Sequence, residues 1–155
     1  MLDGDVLGKP RDLAHARTML RRLSGRTHTV YTGLAVMGLA TGDWGLGTDN
    51  PPNTQLDLVA SDVAIADLTD QEIEAYVATG EPLDKAGAYG IQGLGGRLVR
   101  SVAGSYTCVV GLPLVAIHRL LSAAGYTQLT DPTEAYMRWL ESQGKEPLSC
   151  PPTFP

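Results

Sequence analysis

The sequence predicts an α/β fold in which a mixed sheet is flanked by helices, and three observations lead there. Two runs rich in β-branched residues, 27–39 and 55–68, are separated by a segment of turn-forming residues. Around them lie stretches with helix start signals and apolar residues at helical spacing, beginning near residues 12, 69, 113 and 131. Of the 155 residues, 43% are hydrophobic and 19% are charged. That balance suits one globular domain with a core of its own and argues against intrinsic disorder.

The elements follow in order. Asp12 is a good N-cap for a helix that carries Leu13, Ala16, Leu20 and Leu23 on one face and stops at Gly25. Thr27 to Leu39 reads as a strand, and Gln55 to Leu68 as its antiparallel return. Residues 40–54 between them, with Gly, Asp, Asn and Pro in clusters, read as a loop or hairpin tip. Thr69 and Glu72 form a capping box for a helix through Ile73, Tyr76 and Val77 to Gly80. Residues 81–96 are too rich in glycine for a regular element, and Arg97 to Tyr106 reads as a further strand. Pro113 sets the first turn of a helix with Leu114, Ile117, Leu121 and Ala124, closed by Gly125. A second capping box, Asp131 to Glu134, starts a helix whose Tyr136, Trp139 and Leu140 are expected in the core. The tail LSCPPTFP is expected to be irregular.

Charge and cysteine usage exclude several functions. Twelve Lys+Arg against 17 Asp+Glu give a net charge of −5, the wrong sign for a chain that wraps polymeric nucleic acid. A few local cations still suffice for one nucleotide. Cys108 and Cys150 are too few for a disulfide framework, and the three histidines lack metal-ligand spacing, so no protein-built zinc site is expected. No apolar run is long enough to span a membrane, and MLDGDVLGKPRD lacks the pattern of a signal peptide. A cytoplasmic protein is expected.

The chemistry concentrates in the glycine-rich stretch. Gly87, Gly90, Gly93, Gly95 and Gly96 let backbone approach a ligand closely, although the pattern is neither a P-loop nor a dinucleotide fingerprint. Glycines alone would more often mean a structural turn. The polar residues among them, Glu81, Asp84, Lys85, Tyr89 and Gln92, are what a binding loop would present. Lys9, in Gly8-Lys9-Pro10, would by itself read as a solvated surface lysine. His28 sits in a strand pattern, where a structural histidine is more common than a base. Ser24, Ser105 and Cys108 lack the His–carboxylate company that nucleophilic catalysis requires.

Three segments, GKPRDLAHARTMLRRLSGRTHTVYTG, IEAYVATGEPLDKAGAYGIQGLGG and VAGSYTCVVGLPL, together resemble the Maf family of nucleoside triphosphate pyrophosphatases. The likeness runs from about Asp3 to Gly125, and GEPLDKAGAYGIQG is its most specific part. The resemblance implies a Maf/ITPase-like fold with a mixed twisted sheet, here N-terminally truncated. Residues 1–125 would form the C-terminal part of that domain and 126–155 an extension.

The activity implied is hydrolysis of a nucleoside triphosphate to the monophosphate and pyrophosphate, with a divalent cation, Mg2+ or Mn2+, on the phosphates. The IQG form of the loop resembles the subgroup that prefers dTTP and UTP. Lys9, Glu81, Asp84, Lys85 and Gln92 would then bind substrate, and Gln92 would set specificity. Its amide donates and accepts, as the edge of thymine or uracil requires, whereas a carboxylate only accepts. The resemblance also makes a homodimer plausible, with no polymeric nucleic acid or membrane as partner.

The family's Ser-rich, Arg-containing segment, its metal-associated glutamate and lysine, and its GADT-like motif with the general-base aspartate are not in this sequence. MLDGDVLGKP corresponds to the residues just after that motif, so Asp3 and Asp5 do not take the role of the base. No catalytic residue is therefore assigned here, the base being expected upstream of Met1. Two explanations compete: a longer working enzyme, or a noncatalytic relative that binds a nucleotide or a partner. Cys108 stands where the family commonly has Asn, a change expected to loosen its loop.

Overall fold

The computed structural model describes residues 1–37 and 54–144. The expected loop at 40–54 and the irregular tail lie almost wholly outside them. The fold is the expected α/β class. Its elements are α1 (Leu13–Leu23), β1 (Thr27–Met37), β2 (Thr54–Ile65), α2 (Asp70–Val77), β3 (Val99–Ala103), α3 (Tyr106–Val110), α4 (Leu114–Ala123) and α5 (Pro132–Ser142). They fall into two compact units, one of residues 1–35 and 56–113, the other of residues 36–55 and 114–155.

The first unit holds most of the sheet and the core beside it. The strands are ordered β1-β2-β3. Ile65 N–H donates to Arg26 O while Thr29 Oγ1 donates to Asp62, so residue numbers run in opposite directions along β1 and β2. β2 and β3 are antiparallel, with Asp62 opposite Ala103 and a register shift between Ala64 and Ile65. Beside the sheet, α1 packs against α2. Ala16, Leu20 and Leu23 from α1, Val63 and Ile65 from β2, and Ile73 and Val77 from α2 are all almost fully buried. Each large side chain among them contributes about 1.5–3 kcal/mol of apolar burial. Ion pairs Arg17–Glu74 and Arg21–Asp70 run between the two helices at their exposed rim, where each adds little.

The caps form as their chemistry dictates. The Asp12 side chain accepts from His15 N–H, and Thr69 and Glu72 make the full reciprocal box. Gly25, at φ 69°, ends α1 where a Cβ would meet Asp67 Oδ1 at 2.2 Å. Asp3 and Asp5 pair with Arg26 and Arg22.

Several expectations need correction. The strand expected over 97–106 is only Val99–Ala103: residues 94–98 form a 3-10 turn before it. Gly104, at φ 111°, then breaks the chain, and Ser105 caps the short helix α3 by accepting from Cys108 N–H. Cys108 does not leave its surroundings loose. It is fully buried, its thiol lies 3.2 Å from Val59 O, and its carbonyl accepts from Thr32 Oγ1 at 2.7 Å, so α3 is tied to both β1 and β2.

In the second unit, α4 packs on α5, with Leu120 and Leu140 buried. The second capping box is only half formed. Asp131 accepts from Thr133 and Glu134 N–H, but Glu134 turns its carboxylate to Arg138. Tyr136 and Trp139 are half-exposed rather than core, and stack on each other with centroids 6.1 Å apart.

Candidate functional site

A cleft of about 1040 Å3 opens in the first unit, at the upper limit of the usual size of ligand pockets. Its walls come from Leu7, from His28 to Tyr31 on β1, from Val109 and Val110 on α3, and from the glycine-rich segment between Glu81 and Gly93. That segment winds through 3-10 turns at Glu81–Asp84, Ala86–Ala88 and Leu94–Leu98. Ala88 adopts φ 61°, a strained choice for a residue with a Cβ, in the middle of the cleft-lining stretch.

Glu81 organises this segment. Its Oε1 accepts from Tyr76 OH at 2.9 Å and from Gly95 N–H at 3.0 Å, and its Oε2 accepts from Leu94 N–H at 2.9 Å. The Gly95 and Leu94 amides, then the Tyr76 hydroxyl and the Lys85 charge, hold the carboxyl below its usual range. Tyr76 OH in turn accepts from Gly90 N–H at 3.1 Å. One carboxylate and one phenol thus join the two ends of the loop that carries Gln92. A second tie joins the loop to the N-terminal turn, where Gly87 N–H donates to Gly8 O at 3.0 Å.

The structure brings Glu81, Lys85 and Gln92 together in the cleft wall. Lys85 Nζ donates to both Asp84 oxygens, at 2.9 and 2.8 Å. This hydrogen bond chiefly keeps the Asp84 carboxyl below its usual range, with the charges of Lys85 and Lys9 adding to it. Lys9 is exposed and lies in the field of that pair, but neither Lys9 nor Asp84 lines the cleft. Exposed pairs of this kind are weak, so Lys85 can exchange Asp84 for a stronger anion.

Two residues matter more than their sequence context suggests. Tyr76 reads as a helix core position, and nothing in the sequence marks its bond to Gly90. His28 is only 6% exposed and bonds Tyr89 OH through Nε2 at 3.0 Å, while its Nδ1 is buried without a partner. Burial, with the terminal ammonium adding to it and Asp62 opposing, lowers the His28 pKa to about 4. Among the described residues, no three His, Cys, Asp or Glu side chains converge as a metal centre would require. Glu81, the carboxylate in the cleft wall, is already committed on both oxygens.

A sequence model of the family described as "Maf-like protein" matches residues 1–124. The chain belongs to this family. Relatives are close. A "dTTP/UTP pyrophosphatase" of Escherichia coli O157:H7 is 55% identical over 123 residues, 79% of this chain and 56% of that protein. Another of the same description, from Shewanella oneidensis, is 50% identical over 125 residues, 81% of this chain and 58% of that one. A "nucleoside triphosphate pyrophosphatase" of Shigella flexneri is 55% identical over 122 residues, 79% of this chain and 56% of it. The chain therefore spans a little over half the length of the curated relatives it matches. In this Maf-like chain the family segment contains the whole cleft, including Glu81, Lys85 and Gln92.

Proposed function

We propose that this protein recognises dTTP and UTP in the cleft and serves their hydrolysis to the monophosphate and pyrophosphate. The observation that carries the reading is the placement of Lys85 and Gln92 on one loop braced by Glu81, in a cleft with apolar walls. Gln92 reads the pyrimidine edge, offering both a donor and an acceptor to N3–H and its flanking carbonyls. Lys85 and Lys9 serve the phosphates as point charges, stabilising negative charge as the anhydride breaks. Asp84 holds Lys85 until phosphate replaces it. Glu81 belongs to the substrate site through the loop it fixes. The description of relatives as dTTP/UTP pyrophosphatases supports the same substrate class.

A divalent cation, Mg2+ or Mn2+, would arrive with the triphosphate and neutralise part of its charge. The described residues do not form a metal centre of their own, and no step is assigned to them through it. Nor is a general base assigned: the Glu81 carboxylate is tied up in the loop, and His28 is buried against Tyr89. No described helix is long and apolar enough to cross a membrane. Action on the cytoplasmic nucleotide pool is part of the proposal. A homodimer remains part of the proposal.

The test is incubation with dTTP, UTP and GTP, following pyrophosphate release and binding separately. Release from dTTP and UTP in preference to GTP is the expected result. Binding without release would select the noncatalytic nucleotide-binding reading. Neither binding nor release would overturn both.

A further inference from the structure

His28 presents an unusual combination. Its ring is more than nine-tenths buried, it forms part of the cleft wall, and Nδ1 has no hydrogen-bond partner. Leaving such a group unsatisfied is costly, so it calls for a physical reason. The other nitrogen explains which proton state is present. Tyr89 OH meets Nε2 at 3.0 Å, with the two rings at 89°. If the phenol donates, its hydrogen is satisfied and the neutral ring carries its proton on Nδ1. The opposite arrangement would strand the buried phenol hydrogen as well. Burial also keeps the Tyr89 phenol protonated, by raising its pKa. The lone Nδ1 is therefore a donor.

We propose that His28 is a further binding residue of this cleft, its Nδ1–H donating to a carbonyl or hydroxyl oxygen of the nucleoside part of the ligand. Tyr89 is the positioning residue that fixes the tautomer. The inference rests on the reading of the cleft as a nucleotide site. An uncharged donor in a cleft wall that also holds Leu7, Val30, Ile91 and Val109 suits an uncharged oxygen. Phosphate finds better partners in Lys85 and Lys9. A donor shut off from water discriminates strongly, because a ligand without the matching acceptor leaves it unpaired. Engagement requires side-chain adjustment of the wall, the ordinary scale of change on binding.

The test is proton–nitrogen correlation spectroscopy of the His28 ring in the full chain at neutral pH, alone, with dTTP, and with inorganic tripolyphosphate. Expected are the neutral Nδ1–H tautomer in the free protein, an Nδ1 shift with dTTP, and none with tripolyphosphate. A charged ring or the Nε2–H tautomer in the free protein overturns the proposal outright. Loop amides that respond to dTTP while Nδ1 does not would overturn it and leave the nucleotide reading intact. A shift with tripolyphosphate would overturn the assignment to the nucleoside part, and no response anywhere would overturn both readings. Two variants separate the nitrogens. His28→Gln retains a partner for Tyr89 and should bind dTTP about 10-fold more weakly, the worth of one hydrogen bond. His28→Asn, with its amide near the Nδ1 position, should recover part of that loss. Wild-type affinity in His28→Gln would contradict the proposal.

Discussion

Glu81 and Gly93 approach so closely that a Cβ on residue 93 would lie 2.6 Å from both carboxylate oxygens of Glu81. The glycine is there because the carboxylate is, and the carboxylate is there to hold the amides of Leu94 and Gly95. The loop that carries Gln92 is thus shaped by a partly exposed carboxylate bonded to backbone amides rather than by an apolar core.

Disturbing either partner should loosen the loop. Gly93→Ala displaces the carboxylate from its three donors, and Glu81→Gln turns one acceptor oxygen into a donor facing an N–H. Each should cost about 1–3 kcal/mol of stability, measured by denaturant unfolding, and weaken dTTP binding. Unchanged unfolding midpoints in both variants would show that the contacts do not brace the loop.

Selectivity should reside at residue 92. Gln92→Glu replaces a donor–acceptor edge by one that only accepts, so dTTP and UTP should lose about 10-fold or more in affinity while GTP loses less. Competition binding with the three nucleotides checks this, and equal losses would remove Gln92 from base recognition.

The phosphate side should depend on Lys9. Lys9→Ala removes an exposed charge next to the Asp84–Lys85 pair, with little effect on folding expected. Affinity for dTTP should fall, and its salt dependence should become shallower, because one screened attraction is gone. Calorimetry at two salt concentrations reads both effects.

Acid should destabilise the protein through His28. Its folded pKa, about 4, lies below its ordinary value of 6.5, so the unfolded chain binds the proton more readily. The contribution is complete above about pH 6.5, falls as pH drops, and levels off below about 4, for a loss of up to about 3 kcal/mol. Unfolding free energies from pH 7.5 to 5 check the slope, and His28→Gln should flatten it.

Legibility in the sequence followed the range of the interactions. Caps are local, so Asp12, Thr69–Glu72 and Gly25 disclosed their helices directly. The short helix α3 was hidden because Ser105 and Gly104 sit inside a β-branched run, and a five-residue helix has no periodicity to read. Tyr136 and Trp139 have helical spacing, but spacing gives no partner, and both remain half-exposed. At the site, glycines and polar residues in one stretch marked the loop. What each does was not legible: Glu81 reaches residues 94 and 95, and His28 pairs with a tyrosine 61 positions away.

Pyrimidine recognition by Gln92 is tested most directly by calorimetric titration of the chain with dTTP, UTP and GTP, repeated with Gln92→Glu. Expected are dTTP and UTP affinities at least about 10-fold tighter than that for GTP, with most of the difference erased by the substitution. Equal affinity for all three nucleotides, or none for any, would contradict it.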